Sequence, residues 1–205
     1  MTTTDHATTA TTVFLPHGSP ADRLLTVALV VGPLLMLGAD ATYAFQGWDS
    51  GTGGVLHVLG AIAYGLLVLR VATWLPGGSW LTSGLVFTAV AGSIANAAYG
   101  FEAIHQSFGD TPLVDRSGAA ILIKPLGLLF PLSLALVALA LRHLGQLRPA
   151  SAVLLAAVLW PIAHIANIAP LAVGVNVLLV VALGTRTGRN PVAGPSLGAR
   201  RDLLR

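Results

Sequence analysis

Residues 150–185 contain no Asp, Glu, Lys or Arg. As a single helix those 36 residues would be about 54 Å long, nearly twice the ~30 Å hydrocarbon core of a bilayer. The run must therefore turn back on itself. Asn167-Ile168-Ala169-Pro170 is the place for it, because a proline can open the helix that follows. The run divides into two apolar spans, 150–167 and a short 170–185. Four more stretches of similar character precede them, at 23–45, 55–75, 80–102 and 119–141. Only 9% of the chain is charged, against about 25% in soluble domains. The expectation is an all-α polytopic membrane protein, a bundle of six transmembrane helices.

The connections carry turn chemistry. Gly47, Asp49, Gly51, Gly53 and Gly54 follow the first span, and Pro76-Gly77-Gly78-Ser79 follows the second. The third span holds Ser83, Gly84, Ala91, Gly92, Ala95, Ala98 and Gly100. Small residues let helices approach closely in lipid, so this span is expected at the centre of the packing. Pro33, Pro125, Pro131 and Pro161 fall within spans and are expected to kink them. The segments outside residues 22–186 read as tails: a Thr-rich 1–21 and an Arg-rich 187–205.

Basic residues orient the bundle. With the N-terminus in the cytoplasm, Arg23, Arg70, Arg142, Arg148, Arg186, Arg189, Arg200, Arg201 and Arg205 lie on that side and Arg116 alone on the other. Such a bias predicts both termini inside, which requires an even number of crossings. Trp74 and Trp80 near the inner boundary and Trp48 near the outer one suit the aromatic belts of a bilayer. Arg- and Ala-rich, Lys-poor usage points to the plasma membrane of a bacterium. The same distribution argues against nucleic acid as a partner, since the Arg residues mark span ends rather than one soluble face. The chain has no Cys, which excludes disulfides, thiolate metal sites and thiol catalysis.

That orientation also assigns a depth to each unusual residue. Asp40, His57, Asn96, Glu102, Lys124, His164 and Asn167 come from five different spans, and all fall in the outer half, with His105 in the adjoining loop. Ionisable groups at depth in a membrane normally face a partner or a water-filled cavity. A shared pocket open to the outside is expected, with Lys124 paired to Asp40 or Glu102, and with Tyr43, Tyr99 and Trp160 on its walls. In this reading Asp40 and Glu102 are acid–base groups, His57 and His164 assist proton movement, and Lys124, Asn96, Tyr43, Tyr99, Asn167 and Trp160 bind the ligand.

Several chemistries fit such a set. A carboxyl group shielded from water can act as general acid with histidine as partner, as in acid–base chemistry on a lipid or prenyl substrate. Proton-coupled transport uses the same residue types. The inner half shows no polar pathway, though a homo-oligomer could build one between subunits. A membrane-bound regulatory or immunity protein is the third class, with the tails as its binding parts. Zinc would draw on His57, His105 and His164, and haem on His57 with His164. No His-x-x-x-His or Glu-x-x-His spacing supports a metal, so no cofactor is expected. The preferred reading is a pocket for an apolar or amphipathic small molecule that enters from the bilayer.

Overall fold

A computed structural model describes residue 16 and residues 18–184. The two expected tails fall almost wholly outside the described residues. Within them the chain is all-helical: α1 (Pro20–Gln46), α2 (Gly51–Ala72), α3 (Trp80–Ser107), two 3-10 turns (Leu113–Asp115 and Gly118–Leu122), α4 (Ile123–Gly127), α5 (Leu129–His143), α6 (Leu147–Ile165) and α7 (Ala169–Gly184). Five helical segments are long and apolar enough to cross a membrane, taking α4 and α5 together as Ile123–His143. The sixth, α7, has 16 residues and would be about 24 Å long.

Local sequence explains the boundaries. Ser19, Ser50 and Ser79 cap α1, α2 and α3, each hydroxyl accepting a backbone N–H from the first turn. Gly47 and Gly145 take φ values of 96° and 73° where α1 and α5 end, the left-handed region open to glycine. Asn167 does the same between α6 and α7 with φ 54°, and the next N–H, that of Ile168, returns to the Ala163 carbonyl at 2.7 Å. The charge-free run thus turns back where its length required.

Three expectations need correction. First, α3 does not stop near Glu102; it continues to Ser107, so Glu102 and His105 are helical. Second, the fourth span does not start at residue 119. A 3-10 turn occupies Gly118–Leu122 and the α-helix begins only at Ile123. Pro125 and Pro131 then fall in the first turns of α4 and α5, where a missing N–H costs no hydrogen bond. Only Pro33 and Pro161 sit inside helices. Third, the helix at the centre is α2. In its most apolar stretch 61% of residues are buried, against 33% for α3.

The remaining helices wrap α2. It packs between α1 and α3, and the circuit runs on from α3 to α5, α6, α7 and back to α1. A Cβ on Gly54 would sit 2.6 Å from the Gly100 carbonyl oxygen, so α2 and α3 cross backbone to backbone. The main core is aliphatic, with Leu67, Leu85, Leu134, Leu141 and Leu179 fully buried. Phe87, Ile94, Leu155 and Val181 stand exposed, a surface suited to lipid rather than water. At the end where α2 finishes, Arg70 Nη1 meets Asp22 Oδ1 at 2.7 Å with both side chains nearly buried, an ion pair that ties α1 to α2 and that the sequence reading did not foresee.

Candidate functional site

At the opposite end, where α1 turns into α2, a cavity of about 810 Å³ opens among α3, α4 and α6. Its wall includes His57, Asn96, Glu102, Lys124 and His164, together with Tyr43, Tyr99, Trp160 and Asn167. Helices of alternating direction deliver these residues to one end. Two residues named from sequence are not on the wall: His105, and Asp40, which is wholly buried behind His164. Lys124 occupies the first turn of α4, on the wall, with its side chain exposed. Pro112 and Val114, from the segment between α3 and α4, close the cavity above.

Behind the wall, Asp40 takes its partners from α6 and α7. The Asn176 amide donates to Asp40 Oδ2 at 2.6 Å, and His164 Nε2 faces Asp40 Oδ1 at 3.4 Å. The other imidazole nitrogen, Nδ1, lies 2.9 Å from the Trp160 carbonyl oxygen. A carbonyl can only accept, so Nδ1 carries its hydrogen. Nε2 and Oδ1 would then be two acceptors face to face unless one hydrogen lies between them, on the imidazole or on the carboxyl group. One hydrogen placed between Nε2 and Oδ1 would satisfy both atoms, which have no other partner among the described residues. Behind it, the Tyr64 hydroxyl donates to Asn176 Oδ1 at 3.4 Å. A side-chain amide is not a ready proton carrier, so Asn176 ends the relay instead of passing it toward the middle of the bundle.

His57 is equally committed. Its Nε2 lies 3.2 Å from Asn96 Oδ1 and its Nδ1 lies 3.3 Å from the Tyr43 hydroxyl. The accepting amide oxygen places the hydrogen on Nε2, leaving Nδ1 to accept from tyrosine. Neither imidazole can offer a nitrogen to a metal or a haem without releasing a protein partner.

Rings line this region continuously. Tyr43 stacks on Trp48 at 5.2 Å, Trp48 meets the edge of His164 at 5.6 Å, and His164 stacks on Trp160 at 4.0 Å and 19°. Trp160 continues to Phe130 at 5.0 Å, and Phe130 to Tyr64 at 4.9 Å. Trp48, expected in an aromatic belt, stands in this run, and Tyr64 joins it to Asn176 of α7. Their roles depend on how the helices are rotated, which span depth alone does not fix.

The hydrogen-bonding capacity left over is what a ligand could use. Besides His164 Nε2, which faces Asp40, three buried atoms of wall residues have no hydrogen-bond partner among the described residues: Asn96 Nδ2, Trp160 Nε1 and Glu102 Oε2. The other Glu102 oxygen accepts from Gln106 Nε2 at 3.1 Å and from the Val114 backbone N–H at 3.3 Å, so half of the carboxylate is held and half is open. An unpaired buried polar group costs about 1–3 kcal/mol, which gives each of the three a reason to bind something. His105 instead leans on Asp110, Nδ1 to Oδ2 at 3.3 Å. Among the described residues no group of three His, Cys, Asp or Glu side chains is placed to hold a metal ion. No protein-family model, no curated protein and no solved structure matches the chain.

Proposed function

We propose that this chain crosses a bacterial plasma membrane six times with both termini in the cytoplasm, and that the cavity binds a small apolar or amphipathic molecule from the outer leaflet. Nine arginines against one support the orientation. The observation that carries the ligand reading is the cavity itself. Its volume of about 810 Å³ falls within the usual ~300–1,000 Å³ of small-molecule sites, and its wall, which includes Tyr43, Trp48, Tyr99 and Trp160, contains buried polar atoms without partners.

The geometry also redistributes the roles expected from sequence. Asp40 and both histidines are bonded to one another or to the frame, so they hold the wall in place. Glu102 is the carboxyl group with a free oxygen, and any proton exchanged with a bound molecule passes through it. Proton-coupled transport is less well supported, because the buried chain from His164 ends at Asn176.

The test uses protein in mild detergent carrying Trp74→Phe and Trp80→Phe, so that only Trp48 and Trp160, both on the wall, report. Brominated dodecyl alcohol, amine and sulfate are titrated as quenchers. At least one should quench saturably at one molecule per chain, and Ala103→Phe, which fills the cavity from α3, should abolish that phase. Quenching that rises without saturation for all three, or that ignores the substitution at Ala103, overturns the proposal.

A further inference from the structure

Given that the cavity binds an amphiphile, its donors, acceptors and rim narrow the chemistry further. Asn96 and Glu102 lie six residues apart on α3, about 9 Å along the helix axis. Trp160 is at the depth of Asn96: it packs on Phe130, and the Phe130 backbone lies against Gly92, one turn before Asn96. The deep end of the cavity therefore offers two unpartnered donors, Asn96 Nδ2 and Trp160 Nε1; His164 Nε2 is turned to Asp40, and the remaining unpartnered wall atom, Glu102 Oε2, lies nearer the outside. The rim has a second asymmetry. Leu128 and Ile165 line the cavity and are 51% and 73% exposed, so the opening is sideways, between the α4–α5 junction and the end of α6, at the level where lipid meets headgroup.

We infer that the cavity takes a flat ring bearing a carbonyl and an apolar tail, the chemistry of a quinone, with the carbonyl seated against Asn96 and Trp160 and the tail leaving past Leu128 and Ile165. A carbonyl brings acceptor lone pairs and no hydrogen, which is what two donors require. An alcohol would bring a hydrogen with no free acceptor at that depth. An amine would be drawn to Glu102, one to two turns short of the floor. The run of rings from Tyr43 through Trp48 and His164 to Trp160 gives such a ring flat faces to stack on. Only binding is inferred, with no electron transfer.

Decylubiquinone, 1-dodecanol and dodecylamine are compared in the same Trp74→Phe/Trp80→Phe background, the two non-quenching amphiphiles by displacement of the brominated probe. Decylubiquinone should saturate at one per chain and bind at least tenfold more tightly than the other two. Adding Trp160→Phe keeps an aromatic ring over His164 while removing the N–H donor and part of the indole surface; read from Trp48, it should weaken decylubiquinone by roughly fivefold to tenfold, and by more than it weakens 1-dodecanol, which loses the same apolar contact. Leu128→Trp, at the exposed rim, should slow its entry without unfolding the bundle. Equal affinity for dodecanol or dodecylamine, or no effect of Trp160→Phe, overturns the ring inference and leaves the cavity standing. If no amphiphile saturates, the proposed function falls as well.

Discussion

Asp40→Asn separates a shared proton from a mere buried charge. In the wild type, Asp40 Oδ2 accepts from Asn176 and Oδ1 faces His164 Nε2 at 3.4 Å, a gap that one shared hydrogen would fill. An asparagine can reproduce both contacts, its oxygen accepting from Asn176 and its amide donating to Nε2, because Nδ1–H stays on the Trp160 carbonyl. Every buried group keeps a partner, and the change in stability should stay within about 1 kcal/mol. Asp40→Leu keeps the branched shape but is bulkier, and it satisfies neither neighbour. Two orphaned groups at about 1–3 kcal/mol each give a loss of about 2–6 kcal/mol. For a chain of this size that lowers Tm by roughly 5–20 °C. Thermal unfolding in detergent, followed by tryptophan fluorescence, measures both variants against wild type. If the asparagine variant falls as far as the leucine variant, the single-proton arrangement is wrong.

Gly127→Ala would place a Cβ 2.5 Å from the Tyr99 ring edge; the ring can swing, so the stability cost should stay under about 1 kcal/mol, while probe binding in the cavity should fall severalfold in the quenching titration. Arg70→Met should cost about 3 kcal/mol by leaving Asp22 without its guanidinium, and a double-mutant cycle with Asp22→Asn should show a coupling of about 1 kcal/mol or more in the same unfolding assay. Single cysteines test sidedness: one at exposed Ser107 should react with an impermeant maleimide from outside intact cells, one at Gly78 only after permeabilisation. Ser50, in the same turn region as Ser107, is buried as the cap of α2 and would not report.

Much of the frame was legible because it follows from length and charge. The uncharged run of residues 150–185 had to turn, and Asn167 and Pro170 marked where. Depth was legible for the same reason: once helix direction alternates, Asp40, His57, Asn96 and His164 fall at one end whatever the packing. Rotation about each helix axis was not legible, and it decides partners. Asp40 meets Asn176, 136 residues away, because α7 closes the circuit next to α1, and nothing in the spacing of either helix announces that. The central position of α2 had a visible cue in Gly53, Gly54, Gly60 and Gly65, outweighed in the reading by the small residues of α3. Pro125 disfavours helix in the residue before it, yet Lys124 is helical in α4, so the late start of the fourth span was not legible from that proline.

The contacts beneath the cavity close on themselves. From Trp160 they pass to Phe130, Tyr64, Asn176, Asp40 and His164 and return to Trp160, touching α5, α2, α7, α1 and α6 in turn. Such a hoop resists spreading, since parting any two of those helices breaks a stack or a hydrogen bond with no substitute at hand. The storey above it, the five residues of α4 and the 3-10 turns before them, takes no part in that closed circuit, so a loosening there would leave the hoop intact.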